Sequence, residues 1–171
     1  MNQIEIGVMT TEDDVAVVSN LVRTYVEWLI ETYPEESEDL LSYFSPERMH
    51  QALADIPVSY FLPKGIALIG RVSGVPVGCV LASPLEPGIA EMKRLFVAPS
   101  ARGLGLGTEL LHALIAQLQA LGYPTIRLDT AIFLADAISL YRRFGFVEIA
   151  PYTTLPPGAV PTAIFMERRS W

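Results

Sequence analysis

One cysteine, Cys79, and two histidines, His50 and His112, are spread over 171 residues. No internal disulfide can form, and the two histidines lie far apart in sequence, so no metal site is expected. Cys79 lies inside the apolar stretch VGCVLAS and reads as a small buried residue rather than a nucleophile. Charge is also scarce, at 18% of residues, and leans acidic: 12 Lys and Arg against 19 Asp and Glu give a net charge of −7. That sign is wrong for a surface that tracks phosphates, so nucleic acid is not an expected partner and a cationic small molecule is mildly favoured. No uninterrupted apolar run approaches the ~20 residues of a membrane span. The opening MNQIEIGVMTTEDD has no basic segment followed by an apolar one, so no secretory leader is expected and the location implied is cytoplasmic. Internal repeats, low-complexity tracts and long linkers are missing too, which predicts one domain over residues 1–171.

What the chain has is apolar periodicity, at 51% hydrophobic residues. QIEIGV alternates like a strand, and Thr11 with Asp14 forms a capping box ahead of a helix expected to run to about Ile30. YPEESEDL reads as an acidic, turn-forming connector, and Ser45-Pro46-Glu47 opens a second helix reaching about Asp55. GIALIGRVSGVPVGCVLAS holds two strand-like runs around a hairpin signal, and IAEMKRLFVA is a third strand. A helix over Gly105–Ala120, a strand at TIRLDT, a helix over Ala135–Phe144 stopped by Gly145, and strands near FVEIAPY and TAIFMER complete the order. Antiparallel strands followed by β-α-β-α-β predict a mixed α/β sheet with helices on its faces.

One segment breaks the local rules. VAPSARGLGLGTELL places Gly103, Gly105 and Gly107 at the mouth of a helix, where an interior glycine costs ~1 kcal/mol relative to alanine. That helix is held by a stripe of Leu106, Leu110, Leu114, Leu118 and Leu121, so its first turn is free for other work. A helix start offers unpaired N–H groups and the positive end of the dipole, and glycines let an anion come close to them. A Walker loop is excluded because Gly107 is followed by Thr108-Glu109, and a dinucleotide fingerprint fails because position 108 is not glycine.

Arg102, Gly105 and Gly107 do fit Gln/Arg-x-x-Gly-x-Gly/Ala. With the strand before them and the AISLYRRFGF block about 40 residues later, the chain resembles the GNAT superfamily of acyl-CoA-dependent N-acetyltransferases over roughly residues 65 to 150. The resemblance implies a central mixed, mostly antiparallel sheet with helices on both faces, and acetyl-CoA as the acyl donor. It also implies that the loop amides hold the coenzyme A pyrophosphate while the pantetheine lies along the preceding strand. On this chain those positions are Leu95, Phe96 and Val97 on the strand, and Arg102, Gly103, Leu104, Gly105, Leu106, Gly107 and Thr108 in the loop. An acetyl oxygen near the Val97 amide would gain a hydrogen-bond donor as negative charge develops.

Acetyl transfer to an amine requires a neutral amine and a protonated or stabilised thiolate, hence a base and an acid. Tyr141 matches the family tyrosine whose hydroxyl approaches the coenzyme sulfur; with reference pKa values of ~10 for Tyr and ~8.5 for a thiol it suits a general acid. The same residue is equally at home as a core aromatic beside Leu134, Ile138 and Phe144. Glu91 occupies a strand position where some family members carry a base. Strict alternation would put it on one face with Lys93, Leu95 and Val97, and a cation so close opposes base catalysis. A solvated or ion-paired Glu91 fits the residues as well. Arg142 and Arg143 suit either a coenzyme phosphate or a wet helix face, and Leu134 stands where many members have asparagine.

The family builds its acceptor pocket from the early helices and a late loop, here about Val26 to Leu62 and Pro151 to Pro161. Trp28, Tyr33, Tyr60, Phe61 and Tyr152 would wall it, with Glu35, Glu36 and Glu38 biasing it towards cations. The expected function is therefore acetylation of a small-molecule amine by direct transfer in a ternary complex. A coenzyme A-binding module without turnover and a protein or peptide acetyltransferase are the alternatives. Acyl-chain length, acceptor and oligomeric state stay open, a homodimer included.

Overall fold

In the computed structural model, which describes residues 2–170, the chain opens with strand β1 (Ile4–Val8) and helix α1 (Glu12–Thr32). The Thr11 hydroxyl accepts from the Asp14 amide at 3.1 Å while the Asp14 carboxylate accepts from the Thr11 amide at 3.2 Å, the expected reciprocal cap. The acidic connector is not a turn. Pro34–Glu36 forms a 3-10 turn and Ser37–Tyr43 a short helix, α2, because Pro34 and the first-turn acids favour a helix start and Leu40 buries beneath them. Helix α3 (Pro46–Ser59) passes the expected Asp55 and carries Pro57 in its last turn.

Strands β2 (Ile66–Val72), β3 (Val75–Glu86) and β4 (Ile89–Val97) form antiparallel hairpins, followed by α4 (Leu106–Ala120), β5 (Thr125–Ala131), α5 (Ala135–Arg143), β6 (Val147–Ile149) and β7 (Ala163–Arg169). The seven strands lie in the order β1-β2-β3-β4-β5-β7-β6, and β4–β5 is the parallel pair. The mixed α/β expectation therefore holds, with helices on both faces.

Alternation sends Ile66, Leu68, Val80, Ala82, Ala90 and Met92 to one face, against the leucine stripe of α4 and Tyr141 of α5. It sends Ala67, Ile69, Cys79, Leu81 and Phe96 to the other, against Val18, Leu21 and Val22 of α1 and Ile56 of α3. Strand β4 breaks that alternation once. Cys79 and Leu81 of β3 face Phe96 and Lys93, so β4 holds one extra residue between them, and Arg94 sits in this bulge with φ +57°. The single-face expectation for Glu91, Lys93, Leu95 and Val97 is thereby corrected. Leu95 and Val97 pack on the α4 side with Ala90 and Met92, whereas Phe96 packs on the α1 side. A one-residue insertion shifts a period-2 pattern to the opposite face.

On the α1 side of β5 and β7, Glu167 is 5% exposed and accepts from Arg127 at 2.8 Å and from Arg169. Burial alone would raise its carboxyl pKa; the two guanidinium hydrogen bonds outweigh it and hold the pKa below the ordinary range. The resulting stability is present above the unfolded carboxyl's value and is lost as pH falls through the lower folded one. Glu167→Gln is expected to lower unfolding free energy at pH 7 by about 2 kcal/mol, less than a fully buried pair because Arg169 is solvent-exposed. Urea unfolding should show the gap between wild type and variant narrowing below that window.

Candidate active site

Strands β4 and β5 pair only where Ile89–Glu91 meets Thr125–Arg127. Beyond that point β4 swings through its bulge while β5 continues straight beside β7, and the two part. Between them opens a cavity of about 570 Å³ whose walls include Lys93–Val97 of β4 and Leu128–Ala131 of β5. Its mouth is shaped by the glycine loop. Gly103 (φ +79°) and Gly105 (φ +87°) are left-handed, which other residues adopt at a cost, and a Cβ at either would meet no atom within 4 Å. Gly105 is the N-cap of α4 and offers no side chain, so no side-chain cap occupies the first-turn N–H groups.

Every loop and strand residue expected to hold coenzyme A lies on the cavity wall except Leu104, which is 39% exposed. Arg102 is tied down twice: its Nε donates to the Val97 carbonyl at 3.1 Å, and its guanidinium lies 4.0 Å from the centre of the Trp28 ring. The glycine loop is thus fastened to α1.

Tyr141 is placed by the end of α5. The Phe146 amide donates to the Tyr141 carbonyl at 3.1 Å and the Gly145 amide to the Arg142 carbonyl at 3.0 Å, with Gly145 left-handed at φ +84°. This paired closure, with Phe146 packed on the Tyr141 ring at 5.8 Å, sets the phenol on the cavity wall from the α4 side. Burial, reinforced by Tyr25 and Asp129, drives its pKa far above the ordinary phenol value, so it is protonated at neutral pH.

Glu91 is 8% exposed and is not on the wall; its Oε1 accepts from Lys93 Nζ at 3.1 Å, and Lys93 is on the wall. Four carboxylates line the cavity, Glu36, Asp39, Asp129 and Asp136, and of these Asp129 is the one carried by the parted strands. Burial raises its pKa and the Glu91 charge adds to the rise, opposed by Lys93 and Arg94. Sequence reading missed it, although TIRLDT places Asp129 two residues beyond Arg127 on the face opposite Ile126 and Leu128. Cys79 is buried, with its thiol pushed up to about 12 by desolvation, and it remains an inert thiol.

Of the expected aromatic wall, Trp28 and Tyr33 are in place, while Tyr60, Phe61 and Tyr152 are not. Tyr60 belongs to the core on the α1 side, and Tyr152 sits behind the wall against Phe165, its hydroxyl buried without a partner among the described residues. Tyr25, Tyr43, Phe44 and Phe133 take their places. Glu36 reaches the wall, joined by Asp39, whereas Glu35 and Glu38 do not. Leu134 and Arg143 line the cavity; Arg142 does not.

The sequence model of the Acetyltransferase (GNAT) family matches residues 21–146. The chain belongs to the GNAT acetyltransferase family. It is 36% identical to an uncharacterized N-acetyltransferase of Schizosaccharomyces pombe over 81% of this chain and 82% of that one. It is 34% identical to an IAA acetyltransferase of Azospirillum brasilense over 88% and 89%. Among solved structures, the PaiA N-acetyltransferase of Thermoplasma acidophilum in complex with coenzyme A shares the fold with a TM-score of 0.71 at 17% identity, over 98% of this chain and 99% of that one.

In this GNAT acetyltransferase Gly107 differs from its two neighbours. Its φ is not left-handed, and a Cβ there would make ordinary contacts, 3.5 Å to Leu140 and 3.7 Å to Val97. Gly107→Ala is expected to keep or slightly raise the melting temperature, since alanine is worth up to ~1 kcal/mol in a helix. It should nevertheless weaken acetyl-CoA binding about tenfold by crowding the helix start, read by calorimetric titration.

Proposed function

We propose that this enzyme transfers an acetyl group from acetyl-CoA to a small-molecule amine, directly and within a ternary complex. One observation carries the reading. Asp129 and Tyr141 reach the same cavity from opposite faces of the sheet, beside an uncapped helix start. The residues present fit coenzyme A: the open space above Gly103 and Gly105 accommodates a pyrophosphate against the α4 amides, and the parted ladder offers unpaired groups to pantetheine amides. Bound acetyl-CoA supplies the activated acetyl thioester. Arg102, held by Trp28 and Val97, sets the loop; Tyr141 holds a proton for the departing sulfur; Asp129 takes one from the incoming ammonium. Glu91 then acts through Lys93, by neutralising it, rather than on the amine. Contact of Tyr33 with Phe133, ring centres 4.7 Å apart, and of Arg102 with Trp28 roofs the cavity, which supports a small acceptor over an extended peptide.

Tyr141→Phe is expected to lower kcat by about 100-fold or more with little change in acetyl-CoA affinity, measured by thiol release and titration. Because Asp129 is half-buried near Glu91, Lys93, Arg94, Tyr25, Tyr43, Tyr141 and Tyr152, the acidic limb of the pH–rate profile should lie above the ordinary carboxylate value. Asp129→Asn should abolish that limb, whereas Glu91→Gln should keep it. A raised folded pKa favours folding at low pH and costs stability once pH exceeds it. Asp129→Asn is therefore also expected to melt higher than wild type at pH 8 while turning over more slowly.

A further inference from the structure

The acceptor end of the cavity holds a cation that neither the fold nor the acetyl transfer uses. Arg94 lines the wall with its guanidinium 5.1 Å from the centre of the Phe44 ring, close to the Tyr43 hydroxyl. Among the described residues it has no ion-pair partner. Of the other cations on the wall, Lys93 is paired with Glu91, Arg102 is spent on Val97 and Trp28, and Arg143 is an exposed residue of the last turn of α5. Asp129 is near enough for the two charges to influence each other, yet they do not form an ion pair. The bulge that presents Arg94 is left-handed at φ +57°, a conformation that glycine takes without cost and arginine does not. A surface arginine could reach water from a relaxed strand. This one is held by a strained backbone against an aromatic wall, lining the same cavity as the Asp129 carboxylate.

A cavity whose wall carries a guanidinium and a carboxylate, neither ion-paired among the described residues, is complementary to a short zwitterion. We infer that the acceptor is an α-amino acid with an apolar or aromatic side chain, its carboxylate bound by Arg94 and its amino group by Asp129. This rests on the acetyltransferase reading above and adds the substrate class to it. The guanidinium fork suits a carboxylate in two parallel hydrogen bonds, and removal from water strengthens them. Tyr25, Trp28, Tyr43 and Phe44 supply the apolar surface for the side chain. Anchoring at both ends leaves the nitrogen beside Asp129, which takes the ammonium proton. The nitrogen lone pair then forms the C–N bond as the C–S bond breaks, the sulfur receives its proton from Tyr141, and the second proton that the nitrogen sheds as it becomes an amide returns to the Tyr141 phenolate. A plain amine lacks the first anchor, and an acidic amino acid would bring a second carboxylate towards Glu36 and Asp39.

The test uses the full chain with acetyl-CoA and matched acceptors: L-phenylalanine, L-tryptophan and L-methionine, each beside its carboxamide and its decarboxylated amine. For at least one trio, kcat/KM for the amino acid should exceed that of both analogues by about 100-fold, as for a desolvated charge pair. Arg94→Gln should erase the preference by slowing the amino acid about 100-fold more than the amine, each read at the variant's own pH optimum because Arg94 also acts on the Asp129 charge. Arg94→Lys, which keeps the charge but not the fork, should restore part of it. Titration of the preferred amino acid into wild type and Arg94→Gln without acetyl-CoA gives a second readout independent of turnover. Acetyl-CoA binding by both variants shows that the fold is intact. Amines acetylated as fast as amino acids, or an Arg94→Gln variant that slows both alike, would overturn the amino-acid inference and leave the acetyltransferase reading standing. Acetyl-CoA binding with no transfer to any of these or to other amines would overturn both.

Discussion

Everything in the site depends on the parting of two strands. Strands β4 and β5 share three residue pairs and then separate, because β4 carries one residue too many at Arg94 while β5 stays registered to β7 along its length. Separation in a sheet interior is costly, since it strands ladder N–H and C=O groups that must find other partners. Here it opens a cavity in the middle of the molecule, lined by backbone as well as side chains. The same extra residue turns Leu95 and Val97 towards α4 and aims Arg94 into the opening. Cavity, backbone donors and a guanidinium thus share one cause.

The rest of the fold compensates. Helix α4 could not lean on its own first turn, which lacks a side-chain cap and holds glycines; six buried residues, Leu106, Leu110, Leu111, Leu114, Ile115 and Leu118, anchor it on the sheet instead. Burial of a leucine is worth roughly 1.5–3 kcal/mol, so the stripe outweighs the glycine penalty several times over. Helix α5 is short but closes in a hydrogen-bonded left-handed cap, and the residue whose carbonyl accepts that closure is Tyr141. Asp129 and Arg94 are held in less comfortable states, one by burial of a carboxylate and one by its backbone. Local strain of this kind persists where the surrounding packing over-determines it, which is the case at the centre of a seven-stranded sheet.

Periodicity and capping signals carried most of the architecture. The Thr11–Asp14 box, the leucine stripe and Gly145 each produced the local structure their chemistry demands, and the spacing of Arg102, Gly105 and Gly107 located the mouth of the cavity. Two local readings failed for definite reasons. YPEESEDL looked like a turn because acids and proline suit both turns and first helical turns, and only Leu40 burying beneath it decides for the helix. The face shared by Glu91, Lys93, Leu95 and Val97 was inferred from strict alternation, which a bulge with a non-glycine residue violates without a sequence mark.

What the sequence determined by itself is therefore local: most helix starts and caps, the uncapped glycine start, the order of the main elements, and through them the family. The tertiary structure decided which charges meet. Asp129 rather than Glu91 faces the cavity, Arg94 lines the same wall without an ion pair among the described residues, and Tyr25, Tyr43, Phe44 and Phe133 replace Tyr60, Phe61 and Tyr152 there. The reason is physical. Helix caps and stripes depend on neighbours a few positions away, whereas the composition of a cavity depends on strand register and on helices packed from distant parts of the chain, and one inserted residue in β4 is enough to change it.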